Sequence, residues 1–191
     1  MSKGIKTLLI VVAIIAIILF PIISGYNKMV SLDQSVKQSE SDIDTQLQRR
    51  SDLIPNLIAT VKGYAAQEKD IFTAVADARS KLAGAQTVTE KANADSQLSG
   101  SLSRLLAVVE NYPNLKSDQN FRDLSVSLEG TENRINIARK DYNTSVGEYN
   151  TVTRRFPNSI IAGIFRFDQK PYYKAAEGAK EVPKVDFSTG K

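Results

Sequence analysis

The first apolar pattern along the chain is a continuous run over residues 8–23, within a stretch from 7 to 26 that contains no charged residue. A helix of about 20 residues matches the roughly 30 Å hydrocarbon core of a bilayer. Lys3 and Lys6 precede the run, as in a signal peptide, but it exceeds the apolar region of a signal peptide and no small-x-small cleavage site follows. We therefore expect an uncleaved anchor, and the two lysines favour a cytoplasmic N-terminus with the domain outside the cytoplasm.

Beyond the anchor, the apolar pattern changes to a stripe with intervals of three, four and seven residues. Over residues 31–82 this pattern predicts one long amphipathic helix, and Gly84 provides a C-terminal stop. The stripe consists of Val36, Ile43, Leu47, Ile54, Leu57, Ile58, Val61, Ala65, Phe72, Val75 and Leu82.

Pro55 lies inside this first stripe, where a proline removes a helical hydrogen bond. One interpretation is a kink in a continuous helix, with the carbonyl of Ser51 freed. The other is two helices, with Pro55 in the first turn of the second and Asp52 as its cap. Both place Arg49, Arg50 and Asp52 at a hinge.

Capping residues and prolines predict two further helices. Thr87 and Glu90 have the spacing of a capping box, and the helix that they begin ends at Pro113. Ser117 or Asp118 caps a third helix that Pro157 stops. Short loops between these helices imply antiparallel neighbours.

These elements together predict an all-α fold. It comprises an N-terminal transmembrane helix, an elongated antiparallel three-helix bundle with coiled-coil-like seams, and a short C-terminal apolar helix with a basic tail. The corresponding divisions are 1–27 for the anchor, 28–157 for the bundle and 158–191 for the short helix and tail.

Charged residues interrupt the apolar stripes. Arg50 and Glu68 fall on the first stripe, and Glu132 and Arg139 on the third. They are either buried pairs that fix helix register, among them an Arg50–Glu132 ion pair, or residues at the stripe's margin that reach water. On the first interpretation they form a structural polar network whose predicted members are Arg49, Arg50, Asp52, Glu68, Arg79, Glu132 and Arg139.

The amino-acid composition excludes several types of catalytic and metal-binding site. The chain has no cysteine and no histidine, which excludes thiol catalysis, the Ser/His/Asp triad and Cys/His metal sites. Residues 27–150 carry 15 basic and 17 acidic residues, whereas 151–191 carry 8 and 4, so the excess positive charge of the domain lies at its C-terminal end. Because both signs interleave elsewhere, we expect no nucleic-acid partner, and we expect no cofactor and no enzymatic activity.

Short motifs spread from Tyr26 to Pro157 resemble those of the LemA family of bacterial membrane proteins. The resemblance implies a single N-terminal anchor, an all-helical bundle, no enzymatic activity and an association with other membrane systems. It is carried by Arg49-Arg50-Ser-Asp52-Leu-Ile-Pro55-Asn56-Leu57, Val61-Lys-Gly63-Tyr64, Ala78-Arg79, Glu110-Asn-Tyr112-Pro113-Asn-Leu115, Thr131-Glu132-Asn133, Ala138-Arg139, Tyr142-Asn143 and Tyr149-Asn150.

Helix lengths suggest an interface between chains. If the three helices run up, down and up, residues 31–50 have no partner within the chain, and the end of the third helix overshoots. Unpaired apolar stripes mark interfaces, so we expect a homo-oligomer or a complex with other envelope proteins. The candidate partner surface is Leu32, Val36, Ile43, Leu47, Tyr142 and Tyr149.

Two alternatives remain open at this point. Tyr142 and Tyr149 are one heptad apart and fit core tyrosines whose hydroxyls reach polar partners. The protein as a whole is either a membrane-anchored scaffold or adaptor, or a sensor that binds a ligand or lipid in the bundle interior.

Overall fold

The computed structural model describes residues 3–174, and within them the chain is helical with no strand. The predicted all-α class, the long apolar N-terminal helix and the short C-terminal apolar helix are confirmed. The basic tail beyond residue 174 lies outside the described residues. The helices are α1 (Lys3–Lys62), α2 (Lys69–Gly84), α3 (Val88–Val109), α4 (Pro113–Ser117), α5 (Gln119–Arg154) and α6 (Asn158–Phe165).

The N-terminal part of α1 has the length and composition of a membrane-spanning helix. Of the helices within residues 3–174, it alone meets that criterion, and protein covers only 6% of its most apolar window. Exposed aliphatic side chains on every face suit a helix whose surroundings are lipid. The apolar helix therefore fits a single-pass membrane protein.

The single helix expected over residues 31–82 is wrong, because α1 ends at Lys62 and α2 begins at Lys69. The amide of Gly63 bonds to Thr60 O and that of Tyr64 to Val61 O, so the last turn tightens and the chain leaves the helix. The six-residue connection keeps Ala65 buried, so the apolar pattern continues in phase across the break.

Predicted caps account for the starts of α3 and α5. Thr87 Oγ1 accepts from the amide of Glu90, whose carboxylate accepts in return from the amide of Thr87, which confirms the capping box. Asp118 Oδ1 accepts from the amide of Phe121 at 3.0 Å, one turn into α5. Pro113 begins α4 rather than only ending the helix before it.

By its contacts the chain forms two compact units. The first contains residues 3–46 and 132–172, and the second contains 47–131 with 173–174. In the second unit, α2 packs on α3, and α4 follows α3. The side chains that are fully inaccessible there include Ile54, Leu57, Val61, Val75, Leu98, Leu105 and Leu115.

In the first unit, α1 and α5 run side by side and antiparallel. Ser39 and Ser145 share a hydrogen bond of 3.0 Å between their hydroxyls. Residues 28–32 of α1 lie beside 144–152 of α5, and residues 39–46 lie beside 134–141. The C-terminal half of α5 therefore covers the part of α1 that follows the apolar segment.

This arrangement corrects the expected partner surface. Leu32, Val36 and Ile43 are at most 7% exposed within the single chain, and Leu47 in the second unit is 5% exposed. Tyr142 and Tyr149 are each 1% exposed. An up-down-up arrangement makes the first and third helices parallel. The break after Lys62 instead adds a separate helix, α2, and α5 runs antiparallel to α1 and covers it. Nothing in this stripe is unpaired, and the three-helix arrangement itself stays a prediction.

Candidate functional site

The turn around Pro55 contains the first group of buried polar contacts. Helix α1 continues through Pro55, so the interpretation with two helices and Asp52 as a cap is wrong. Because proline has no N–H, the carbonyl of Ser51 lacks its usual helical donor. Arg79 Nε supplies one from α2, at 3.0 Å from Ser51 O and 3.1 Å from Ser51 Oγ. An arginine thus satisfies the acceptor that the proline leaves open.

One residue before Ser51, a buried ion pair joins α1 to α3. Arg50 Nη1 donates to Asp95 Oδ1 at 2.9 Å, and the two residues are 5% and 0% exposed. Tyr173, in the segment after α6, donates its hydroxyl to Asp95 Oδ2 at 3.2 Å. Since a buried carboxylate needs both its charge and its lone pairs satisfied, Arg50 and Tyr173 together hold Asp95 in place.

The other predicted members of the network differ in exposure and in their contacts. Arg49 and Asp52 are exposed. Glu68 precedes α2 and accepts from the hydroxyl of Tyr112 at 3.0 Å. Glu132 and Arg139 lie on α5 in the first unit, where Arg139 donates to Asn136 at 3.0 Å. The Arg50–Glu132 pair stays a prediction.

Asp95 is the residue of this network that the sequence interpretation missed. Leu98, Leu102, Leu105 and Val109 follow it at intervals of three and four, so it occupies a seam position of α3. Ala94 beside it is also buried, so the apolar pattern of this helix can be drawn through Ala94 without including the carboxylate. An acidic residue in register with four apolar ones is the pattern that could have identified Asp95 as buried.

In the first unit, side chains of α5 bind the backbone of the segment after α6 at Lys170 and Pro171, and we call this set of contacts the clasp. The side-chain amide of Asn150 bonds twice to the backbone of Lys170: Nδ2 donates to the carbonyl oxygen at 2.9 Å, and Oδ1 accepts from the N–H at 2.9 Å. Tyr142 Oη donates to the carbonyl of Pro171 at 2.9 Å. Tyr142 of one Tyr-Asn pair and Asn150 of the other thus bind a non-helical part of the same chain, and Tyr142 is a buried tyrosine whose hydroxyl has a polar partner.

Charge supports the same clasp. Lys170 Nζ lies 2.7 Å from Asp33 and 5.5 Å from the centre of the Tyr149 ring, which allows a cation–π contact. Burial by itself would raise the pKa of Asp33, but hydrogen bonds from Lys170 and Lys37 outweigh burial and lower that pKa. Burial, with a contribution from the charge of Glu40, raises the pKa of Tyr142 to about 12.

Acidic clusters and open grooves are the other features to consider in the described residues. Within residues 3–174, no group of acidic residues is placed to hold a metal ion. The surroundings of Tyr142 are filled by protein, since it is 1% exposed and bonded to Pro171. Two grooves of about 500 and 530 Å³ are open to solvent and lie elsewhere, one along Leu32 and Thr144 in the first unit and one along Ile58 and Phe72 in the second. The buried polar groups hold segments of the chain together.

Comparison with known proteins agrees with this picture of a membrane-associated helical protein. The sequence profile of the LemA family matches residues 39–187. Two magnetosome proteins of Paramagnetospirillum magneticum (strain ATCC 700264 / AMB-1), MamQ 1 and MamQ 2, are each 24% identical over 205 residues, covering 91% of this chain and 74% of the relative. The magnetosome protein MamQ of Magnetospirillum gryphiswaldense is 25% identical over 201 residues, with the same coverage.

Proposed function

Because this chain belongs to the LemA family, we propose that it is a non-enzymatic, membrane-anchored scaffold or adaptor of the bacterial envelope. In this proposal, α1 anchors the protein with its N-terminus in the cytoplasm. The helical units outside bind other membrane proteins, a second copy of the chain, or both.

The observation that carries the proposal is the use of the buried polar side chains. Arg50 and Tyr173 both bond to Asp95, Arg79 bonds to Ser51, and Asn150 bonds to the chain's own backbone. A catalytic group must face a cleft that admits substrate, whereas these groups face other parts of the same molecule. Such contacts produce a rigid surface, which is what a scaffold presents to a partner.

The proposed partner contacts are on exposed surface and not on the α1 stripe, which α5 covers. Ile137 on α5 is 61% exposed, and Val126, also on α5 but in the second unit, is 68% exposed. Solvent-exposed aliphatic residues of this kind are suitable places to attach a probe without changing the core.

The proposal is tested by photo-crosslinking in living cells. A photoreactive residue replaces Ile137 or Val126, and Ile14 in the apolar segment of α1 serves as the control for proteins that are merely nearby in the membrane. We expect Ile137 or Val126 to give adducts with a small, reproducible set of membrane proteins, or with the chain itself, that Ile14 does not give. If the two domain positions yield only the adducts found at Ile14, the scaffold function is wrong.

A further inference from the structure

Helix α6 packs tightly against the end of the apolar segment of α1. A Cβ atom added to Gly25 would lie 2.6 Å from Asn158 Oδ1 and 3.0 Å from Ile161 Cδ1, so these two side chains of α6 reach the backbone of α1 and would have to shift for a larger residue. Met29, one turn further, is fully buried in a cluster with Ile161 and Ala162. One face of α6 is therefore fixed on residues 25–29.

Aromatic contacts hold the C-terminal end of α6 at the same level. The ring of Tyr26 packs edge-on against Phe165 at 4.9 Å and against Phe167 at 5.5 Å between centroids. Residues 7–26 are long enough to cross the hydrocarbon core, which places Tyr26 at the boundary between acyl chains and headgroups. Helix α6 then lies at that boundary as well.

The opposite face of α6 is apolar and uncovered. Phe156, Ile160 and Ile164 follow one another at intervals of four residues and are 82%, 57% and 69% exposed. Residues four apart share one side of a helix, so Ile160 and Ile164 form a continuous surface, which Phe156 extends just before the helix begins. An apolar patch of this kind, next to a membrane-spanning segment, is at the place where lipid is available to cover it.

Basic residues flank the patch. Arg154 and Arg155 precede α6, Arg166 follows it, and all three are exposed. Asp168 is the single acidic residue between 152 and 174. Guanidinium groups beside an apolar helix face at the membrane surface match the phosphates of anionic lipids.

We propose that α6 is an interfacial helix that inserts its Ile160–Ile164 face among the acyl chains of the bilayer, with Arg154, Arg155 and Arg166 on lipid phosphates. The helix fixes the first unit directly on the membrane surface instead of leaving it on a free stalk. The proposal rests on the proposed anchoring by α1, and the experiment separates the two.

The test uses the full-length chain, which has no cysteine of its own. Single cysteines at Ile160 and Ile164 carry an environment-sensitive fluorophore, and each chain is reconstituted alone in a nanodisc of phosphatidylcholine and phosphatidylglycerol with or without doxyl-labelled lipid. Ile14→Cys reports anchoring. Ile137→Cys is the matched exposed control, because it lies roughly 25 Å beyond Tyr26 along the α1–α5 pair.

We expect doxyl lipid to lower the fluorescence at Ile14, Ile160 and Ile164 by about half, as for probes in contact with acyl chains, and to leave Ile137 unchanged. Quenching at Ile14 without quenching at Ile160 and Ile164 overturns the interfacial helix and leaves the anchor intact. No quenching at Ile14 contradicts the anchor itself. Quenching at Ile160 and Ile164 that is present in discs with one chain but lost in parallel discs that hold two chains assigns the face to a second copy and also overturns the proposal.

Discussion

The side-chain amide of Asn150 forms two hydrogen bonds, both 2.9 Å long, with the backbone N–H and C=O of Lys170. This pairing has the donor and acceptor arrangement of two residues in a β-ladder, with the asparagine side chain in place of one strand. The amide of asparagine offers a donor and an acceptor side by side on separate atoms, so it can pair with the N–H and the C=O of one residue at the same time. A carboxylate in its place offers acceptors only.

The first prediction is that Asn150→Asp loosens the segment after α6. A carboxylate cannot donate to the carbonyl of Lys170 and repels it, so we expect a loss of about 1–3 kcal/mol locally. Hydrogen exchange at the Lys170 amide should become at least tenfold faster. Asn133→Asp, an exposed substitution on the same helix, is the control. Equal protection of Lys170 in both variants would show that the clasp contributes nothing.

The second prediction concerns Pro55 and Arg79. Arg79→Met should destabilise the protein by about 1–3 kcal/mol, because it leaves the carbonyl of Ser51 without a donor. In a Pro55→Ala background, the new N–H at position 55 can bond to Ser51 O, so the same substitution should cost less. Urea unfolding in mild detergent, followed by circular dichroism, measures the free energy of unfolding of the wild type, the two single variants and the double variant. Identical costs in the two backgrounds would contradict the compensation.

The third prediction concerns the buried pair. Arg50→Ala or Asp95→Ala should each cost about 3–5 kcal/mol, since each leaves the other charge buried and uncompensated. The double variant should be less destabilised than the sum of the two. Tyr173→Phe, which removes a neutral donor to Asp95, should cost only about 1 kcal/mol. Additive losses for Arg50 and Asp95 would show that the pair is not coupled.

The fourth prediction is an alkaline limit to stability. The pKa of Tyr142 is raised in the folded protein from 10.0 to about 12. A group with a raised folded pKa contributes stability that is complete below pH 10 and is lost as the pH rises through 12. The tyrosinate absorbance of the wild type minus that of Tyr142→Phe should therefore titrate near pH 12, with circular dichroism showing that the fold persists. A difference curve centred on pH 10 would place Tyr142 in water.

Much of the helical structure could be predicted from patterns in the sequence. The apolar run, the capping box at Thr87 and the cap at Asp118 all depend on local contacts, which periodicity and residue type report directly. The end of α1 at Lys62 could not be predicted from the apolar spacing, because Ala65 lies outside any helix and is still buried in phase with the stripe. Spacing alone cannot distinguish a helix from a short turn that preserves the same register.

The clasp could not have been predicted from the sequence. The segment from 167 to 174 has no regular secondary structure and no periodic pattern, and Asn150 binds its backbone rather than any side chain. Because every residue except proline has the same backbone N–H and C=O groups, this contact does not depend on which residue stands at position 170. The Tyr-Asn pairs of α5 marked one half of the interaction, and only the three-dimensional structure supplies the other half.

The scaffold function is the central claim, and the mass of the native particle tests it most directly. The full-length chain is expressed at its natural level and extracted with its surrounding lipid by an amphipathic polymer, and light scattering and mass spectrometry determine the protein content of the particle. The account predicts particles that hold this chain with a second copy or with another membrane protein in fixed stoichiometry. Particles that contain one chain and lipid alone would contradict it.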